Sequence, residues 1–70
     1  MSERLHVMVN GAPRELAAPT TVAGLLAAIG LEARKVAVER NAAIVPRSAY
    51  AATPLANGDT LEIVHFIGGG

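Results

Sequence analysis

Apolar and polar residues alternate along several short stretches of the chain. Leu5, Val7 and Val9 interleave with Arg4, His6, Met8 and Asn10, the period of a half-buried strand. Asn10-Gly11 follows. Both residues tolerate positive φ, so the pair predicts a tight hairpin. A second strand is expected over Arg14 to Ala18, with Pro13 near its start marking an edge position. The period then changes. Val22, Leu25, Leu26 and Ile29 fall at i, i+3, i+4 and i+7, one stripe along a helix. Thr20-Thr21 offers its N-cap and Gly30 its left-handed terminator, after which Leu31 can fold back. At about ten residues, such a helix depends on packing for its stability.

Strand-like segments return after the helix. Lys35 to Arg40 reads as a third strand, Asn41-Ala42-Ala43 as a turn, and Ile44-Val45 as a short strand stopped by Pro46. A helical turn is expected over Arg47 to Ala52, and Asn57-Gly58-Asp59 is a further turn. Thr60 to Ile67 is the last strand, before Gly68-Gly69-Gly70. One helix covering one face of a mixed sheet of four to five strands is an α+β arrangement, and a β-grasp fits this order best. The last strand is then expected beside the first, parallel to it, in the middle of the sheet. The expected organisation is a β-grasp domain over 1–67 and a flexible glycine tail over 68–70.

Composition narrows the possible roles. The chain has 70 residues, 51% of them hydrophobic, and no cysteine. Its core must form from aliphatic packing, without disulfides or thiolate metal sites. Six basic and six acidic residues cancel, and Tyr50 and Phe66 are the only aromatic residues. Neither a basic surface nor base-stacking platforms are available, so no nucleic-acid partner is expected. The longest apolar stretch, near Val22 to Ile29, is far too short to span a bilayer. No targeting segment is visible, and a cytoplasmic location is expected.

No self-contained catalytic set emerges. Ser2 and Ser48 lack a histidine and an acid at motif spacing, and no glycine-rich phosphate loop opens the helix. The six carboxylates are scattered singly along the chain. His6 and His65 are expected on neighbouring strands, but two histidines lack a third ligand, and no metal site is expected. Arg40 and Arg47 are candidates to steer an acidic partner surface, but single arginines are usually solvated, and no role is assigned to them. Tyr50 reads as a packing residue with its hydroxyl near the surface.

The three glycines are the unusual feature. They extend about 10 Å, at ~3.3–3.6 Å per residue, with no Cβ to block entry to a narrow channel. The expected chemical handle is the α-carboxylate of Gly70. A carboxylate is a poor acyl donor, so it needs activation, for example as an acyl-adenylate made from ATP. A frayed, inert end is the competing expectation.

Taken together, these residues resemble the ubiquitin-like sulfur-carrier family, and within it the thiamine-biosynthesis (ThiS) branch. The matching segments are Val9-Asn10-Gly11, Thr21-Val22 leading to Leu25-Leu26, Val36-Ala37-Val38-Glu39-Arg40-Asn41, Ile44-Val45-Pro46-Arg47 and Asn57-Gly58-Asp59. They are completed by Leu61-Glu62-Ile63-Val64-His65-Phe66-Ile67-Gly68-Gly69-Gly70. The turn after Asn41 departs from the family, which often carries glycine where this chain has Ala42-Ala43.

The resemblance implies that an E1-like, ThiF-like enzyme adenylates Gly70 with ATP. A cysteine-derived persulfide then supplies sulfur to form a Gly70 thiocarboxylate, which donates it to a ThiG-like thiazole synthase. Gly68 and Gly69 keep the tail thin. The chain itself is then a stoichiometric carrier rather than an enzyme and binds no cofactor. If Leu61 and Ile63 face the core, Glu62, Val64 and Phe66 face away. Val64 and Phe66, extended by Met8, are the expected docking surface for a partner. Three rival readings remain. One is a molybdopterin-type sulfur carrier, although prolines usually precede the glycines there. The others are a ubiquitin-like binding module with an inert tail and a small hydrolase.

Overall fold

The computed structural model describes residues 3–66. The expectations for Ile67 and for Gly68, Gly69 and Gly70 lie outside these residues. Five strands form one sheet: β1 (Arg4–Val9), β2 (Ala12–Ala17), β3 (Val36–Arg40), β4 (Ala43–Val45) and β5 (Thr60–His65). Their order is β2-β1-β5-β3-β4. β5 runs parallel to β1 and antiparallel to β3, in the centre of the sheet, as the pattern predicts. This is the mixed sheet and single main helix of a β-grasp.

The hairpin residues Asn10 and Gly11 have φ of 51° and 81°, which lets pairing resume at once with Val9 opposite Ala12. β2 therefore begins two residues before the expected Arg14. Pro13 sits opposite Met8 on this edge strand, where its missing N–H breaks no inner ladder.

The helix, α1 (Val22–Ala28), is shorter than expected because Thr21 and Ile29 act as its caps. The Thr21 hydroxyl accepts the Gly24 N–H at 3.1 Å. At the other end, Gly30 has φ +78° and donates to the Ala27 carbonyl, while Leu31 donates to Leu26. Those two bonds make a Schellman ending, and Leu31 packs back against the core as predicted.

Val22, Leu25 and Leu26 of α1 meet Val7, Val9, Val36, Val38, Leu61 and Ile63 from the sheet, all of them buried. The 3-10 segment Arg47–Ala52 closes one side of this core with Tyr50. The Tyr50 hydroxyl is not near the surface. It points inward and donates to the Val36 carbonyl at 3.0 Å, satisfying a group that the end of β3 leaves open. A second short 3-10 segment, Ala33–Lys35, takes Lys35 out of β3. No helix among the described residues is long and apolar enough to cross a membrane.

Candidate functional site

β5 is the last strand before Gly68-Gly69-Gly70 in the sequence, so the groups that hold β5 are the first to consider. On one flank β3 pairs with it from Val36 opposite His65 to Arg40 opposite Leu61. The Phe66 N–H extends that ladder by donating to the Lys35 carbonyl at 2.9 Å. On the other flank β1 ends at Val9, well before β5 does. The Asn10 side chain replaces the missing strand. Its Oδ1 accepts the Ile63 N–H at 2.7 Å, and its Nδ2 donates to the Ile63 carbonyl at 3.1 Å. Asn10 thus serves both the positive-φ turn and the support of β5.

The start of β5 is held by Asp59, which is only 5% exposed. Its carboxylate accepts Arg40 Nε at 2.7 Å, Asn41 Nδ2 at 3.0 Å and the Ala56 N–H at 2.8 Å. Burial pushes its pKa up, but the bonds from Arg40, Ala56 and Asn41 outweigh this and hold it below the ordinary value. Arg40, to which the sequence assigned no role, is therefore not a free surface cation. It pairs with an acid nineteen residues away in sequence.

β5 presents two different faces. Leu61 and Ile63 are buried beneath the helix, while Glu62, Val64 and Phe66 point to the open side, as the alternation predicts. Val64 is 61% exposed and Phe66 53%. The Arg47 guanidinium carbon lies 5.9 Å from the Phe66 ring centroid, so the aromatic residue beside the tail carries a cation over its ring.

Met8 also lies on the open face, but the register sets it level with Thr60. Val64 is four residues further along β5, about 13 Å at ~3.3 Å per residue, with Glu62 between them on the same face. The structure does not bring Met8 next to Val64 and Phe66. Ile44, which the sequence reading left out, is nearer. It is 78% exposed and pairs with Glu39, whose other neighbour is Glu62. Ala37, Glu39, Ile44, Glu62 and Val64 are among the residues lining a shallow hollow of about 510 Å³ on this face. Ile44 lies on a three-residue strand, too short for alternation to reveal its direction.

The histidines do not meet. The β1 and β5 strands are neighbours, but His6 is level with Gly58 and on the open face, whereas His65 pairs with Val36 near the other end of β5. Among the described residues no three potential metal ligands cluster. Gly68, Gly69 and Gly70, the expected acyl terminus, lie outside the described residues.

Comparisons with known proteins agree with this architecture. The chain matches the ThiS family model over residues 7–70. It is 46% identical over 50 residues to the sulfur carrier protein ThiS of Bacillus subtilis, covering 71% of this chain and 76% of that protein. It is also 52% identical over 66 residues to a thiazole synthase of Paramagnetospirillum magneticum. That match covers 94% of this chain but only 20% of the relative, so the chain spans about a fifth of its length. The crystal structure of a thiamine biosynthesis protein (ThiS) from Geobacter metallireducens superposes with a TM-score of 0.80 at 36% identity. The superposition covers 94% of this chain and all of that one. A family match over nearly the whole chain, on the same fold, leaves one conclusion: the chain belongs to the ThiS family.

Proposed function

We propose that the chain is a sulfur carrier for thiazole formation in thiamine biosynthesis. In this reading the Gly70 carboxylate attacks the α-phosphorus of ATP in the site of an E1-like adenylating enzyme, and pyrophosphate leaves. The outer sulfur of a cysteine persulfide attacks the acyl carbon and AMP leaves; a second thiol then cleaves the acyl disulfide, forming a disulfide with the donor cysteine and freeing the thiocarboxylate. The resulting Gly70 thiocarboxylate delivers sulfur to a thiazole synthase. The carrier supplies the acyl group and the surface that partners grip, and it works in the cytoplasm, where ATP and reduced sulfur donors are at hand. Activation and sulfur transfer are the partners' chemistry.

The observation that carries this reading is the family match, which runs through Gly70. β5 supports it physically. It is held by β3 as far as Phe66 and by the Asn10 side chain at Ile63, and it exposes the apolar side chains of Val64 and Phe66. A rigid strand that ends in a thin thread can enter an active site while its body rests against the outside of the enzyme. The relatives named thiazole synthase, with a segment like this chain inside a longer protein, favour a thiazole synthase as the sulfur acceptor.

Intact mass tests the proposal. Incubation with ATP, the cognate adenylating enzyme and a persulfide donor should add the mass difference of one oxygen-to-sulfur exchange at the terminal residue. Gly69→Ala should keep the fold and slow adenylation, because a methyl group widens the thread. An unchanged mass with active partners would reduce the chain to a binding module with an inert tail.

A further inference from the structure

Glu39 and Glu62 are far apart in sequence, yet the β3–β5 register sets them directly opposite each other. Cross-strand neighbours have Cβ atoms about 4.5–5.5 Å apart, and like charges at that position destabilise a sheet. Neither carboxylate has an ion pair among the described residues. The nearby cations are engaged elsewhere: Arg40 with Asp59, Arg34 and Lys35 with Glu32, Arg4 with Glu15, and Arg47 over the Phe66 ring. Ile44 borders the pair on one side and Val64 follows along β5, both strongly exposed. Two facing carboxylates in an apolar hollow lack the counter-charge that would make the arrangement favourable.

From this we infer that the hollow lined by Ala37, Glu39, Ile44, Glu62 and Val64 receives a lysine or arginine of the adenylating enzyme, set among apolar side chains. The inference rests on the carrier reading above and adds the chemistry of the contact. A cation between the two carboxylates replaces repulsion with two charge-assisted bonds, while Ile44, Val64 and Phe66 cover the partner's apolar rim. A second copy of the chain is a poorer occupant. Stacking this face on itself about a two-fold axis brings four carboxylates into one apolar interface, a like-charge arrangement that disfavours association. The position of the hollow also suits the adenylating enzyme, because Val64 and Phe66 lead straight to the tail that must enter its site.

The test compares three variants by affinity for the cognate adenylating enzyme over a range of salt concentrations. E39Q/E62Q should weaken binding about tenfold at low salt, the scale of one lost charge contact. It should also flatten the salt dependence, and the free carrier should melt no lower than the parent. E39K/E62K should weaken binding further, by roughly a hundredfold, as attraction becomes repulsion. Phe66→Asp tests the apolar face itself. If Phe66→Asp weakens binding but E39Q/E62Q changes neither affinity nor salt dependence, the docking face stands and the basic contact is wrong. If none of the three has an effect, the face is not where this enzyme binds. If the parent chain sediments as a dimer that Phe66→Asp disperses, the occupant is a second copy and the inference falls.

Discussion

The two faces of the sheet are built from the same strands but end in different states. Under the helix, Val7, Val9, Val36, Val38, Leu61 and Ile63 each retain less than a tenth of their exposure. On the open side, Ile44, Val64 and Phe66 keep half or more of theirs. Burying a side chain of this kind contributes about 1.5–3 kcal/mol, so the open face forgoes stability that the covered face collects. The open face also holds two facing carboxylates with no ion pair among the described residues. Folding explains the covered face completely and the open face hardly at all. This apolar surface with its two facing carboxylates is the one we propose a partner grips.

The largest test of this contrast is Leu61→Ala. Leu61 is fully buried in the central strand, and its truncation should destabilise the domain by about 2–5 kcal/mol, read from urea unfolding. Asp59→Ala comes next. It strands the Ala56 N–H and unpairs Arg40 and Asn41 at the start of β5, and should cost about 2–3 kcal/mol.

The same network sets a pH dependence. The Asp59 carboxyl is held below its ordinary value of 3.8 in the folded chain. Its stabilising contribution is complete above that value and fades as the pH falls through the lower folded value. Acid unfolding curves should therefore lie closer together for Asp59→Ala and the parent as the pH drops below about 3.8. A constant gap down to the most acid conditions would contradict the network.

A smaller effect comes from the β3–β4 turn. Asn41 and Ala42 have φ of 52° and 69°, the same handedness as Asn10 and Gly11 in the first hairpin. An alanine in that region costs about 1–2 kcal/mol relative to glycine, partly offset by the freedom glycine adds to the unfolded chain. Ala42→Gly should therefore raise stability by up to about 1 kcal/mol, seen as a higher melting temperature. The smallest effect is expected at Val64→Ala, within about 0.5 kcal/mol of the parent in unfolding because the side chain is already in water. Its signal should instead be weaker partner binding. Were Val64→Ala to cost as much stability as Leu61→Ala, the division between the faces would be broken.

Much of this was legible before any coordinates. The period-two segments located the strands to within two residues, and Asn10-Gly11 and Gly30 marked real positive-φ turns. The outward set of β5 followed from parity alone. The site was less legible. Met8 had the right parity but the wrong place, because the β1–β5 register sets it beside Thr60. Ile44 and Glu39 escaped notice, since their partnership is a matter of register between separate strands. The roles of Arg40 and of the Tyr50 hydroxyl were hidden for the same reason: their partners, Asp59 and the Val36 carbonyl, are distant in sequence.

The division has a simple physical basis. Whether a residue points up or down from a strand, or a helix ends at a glycine, depends on the pleat and on φ and ψ of a few adjacent residues, and the amino-acid order carries that information directly. Which carboxylate faces which depends on how segments some twenty residues apart slide into register, and only the closed sheet decides that. The strands, the helix and the apolar side of each could be read from the chain. The Asp59 network, the Asn10 clasp on β5 and the Glu39–Glu62 hollow came into being when the core brought those strands together.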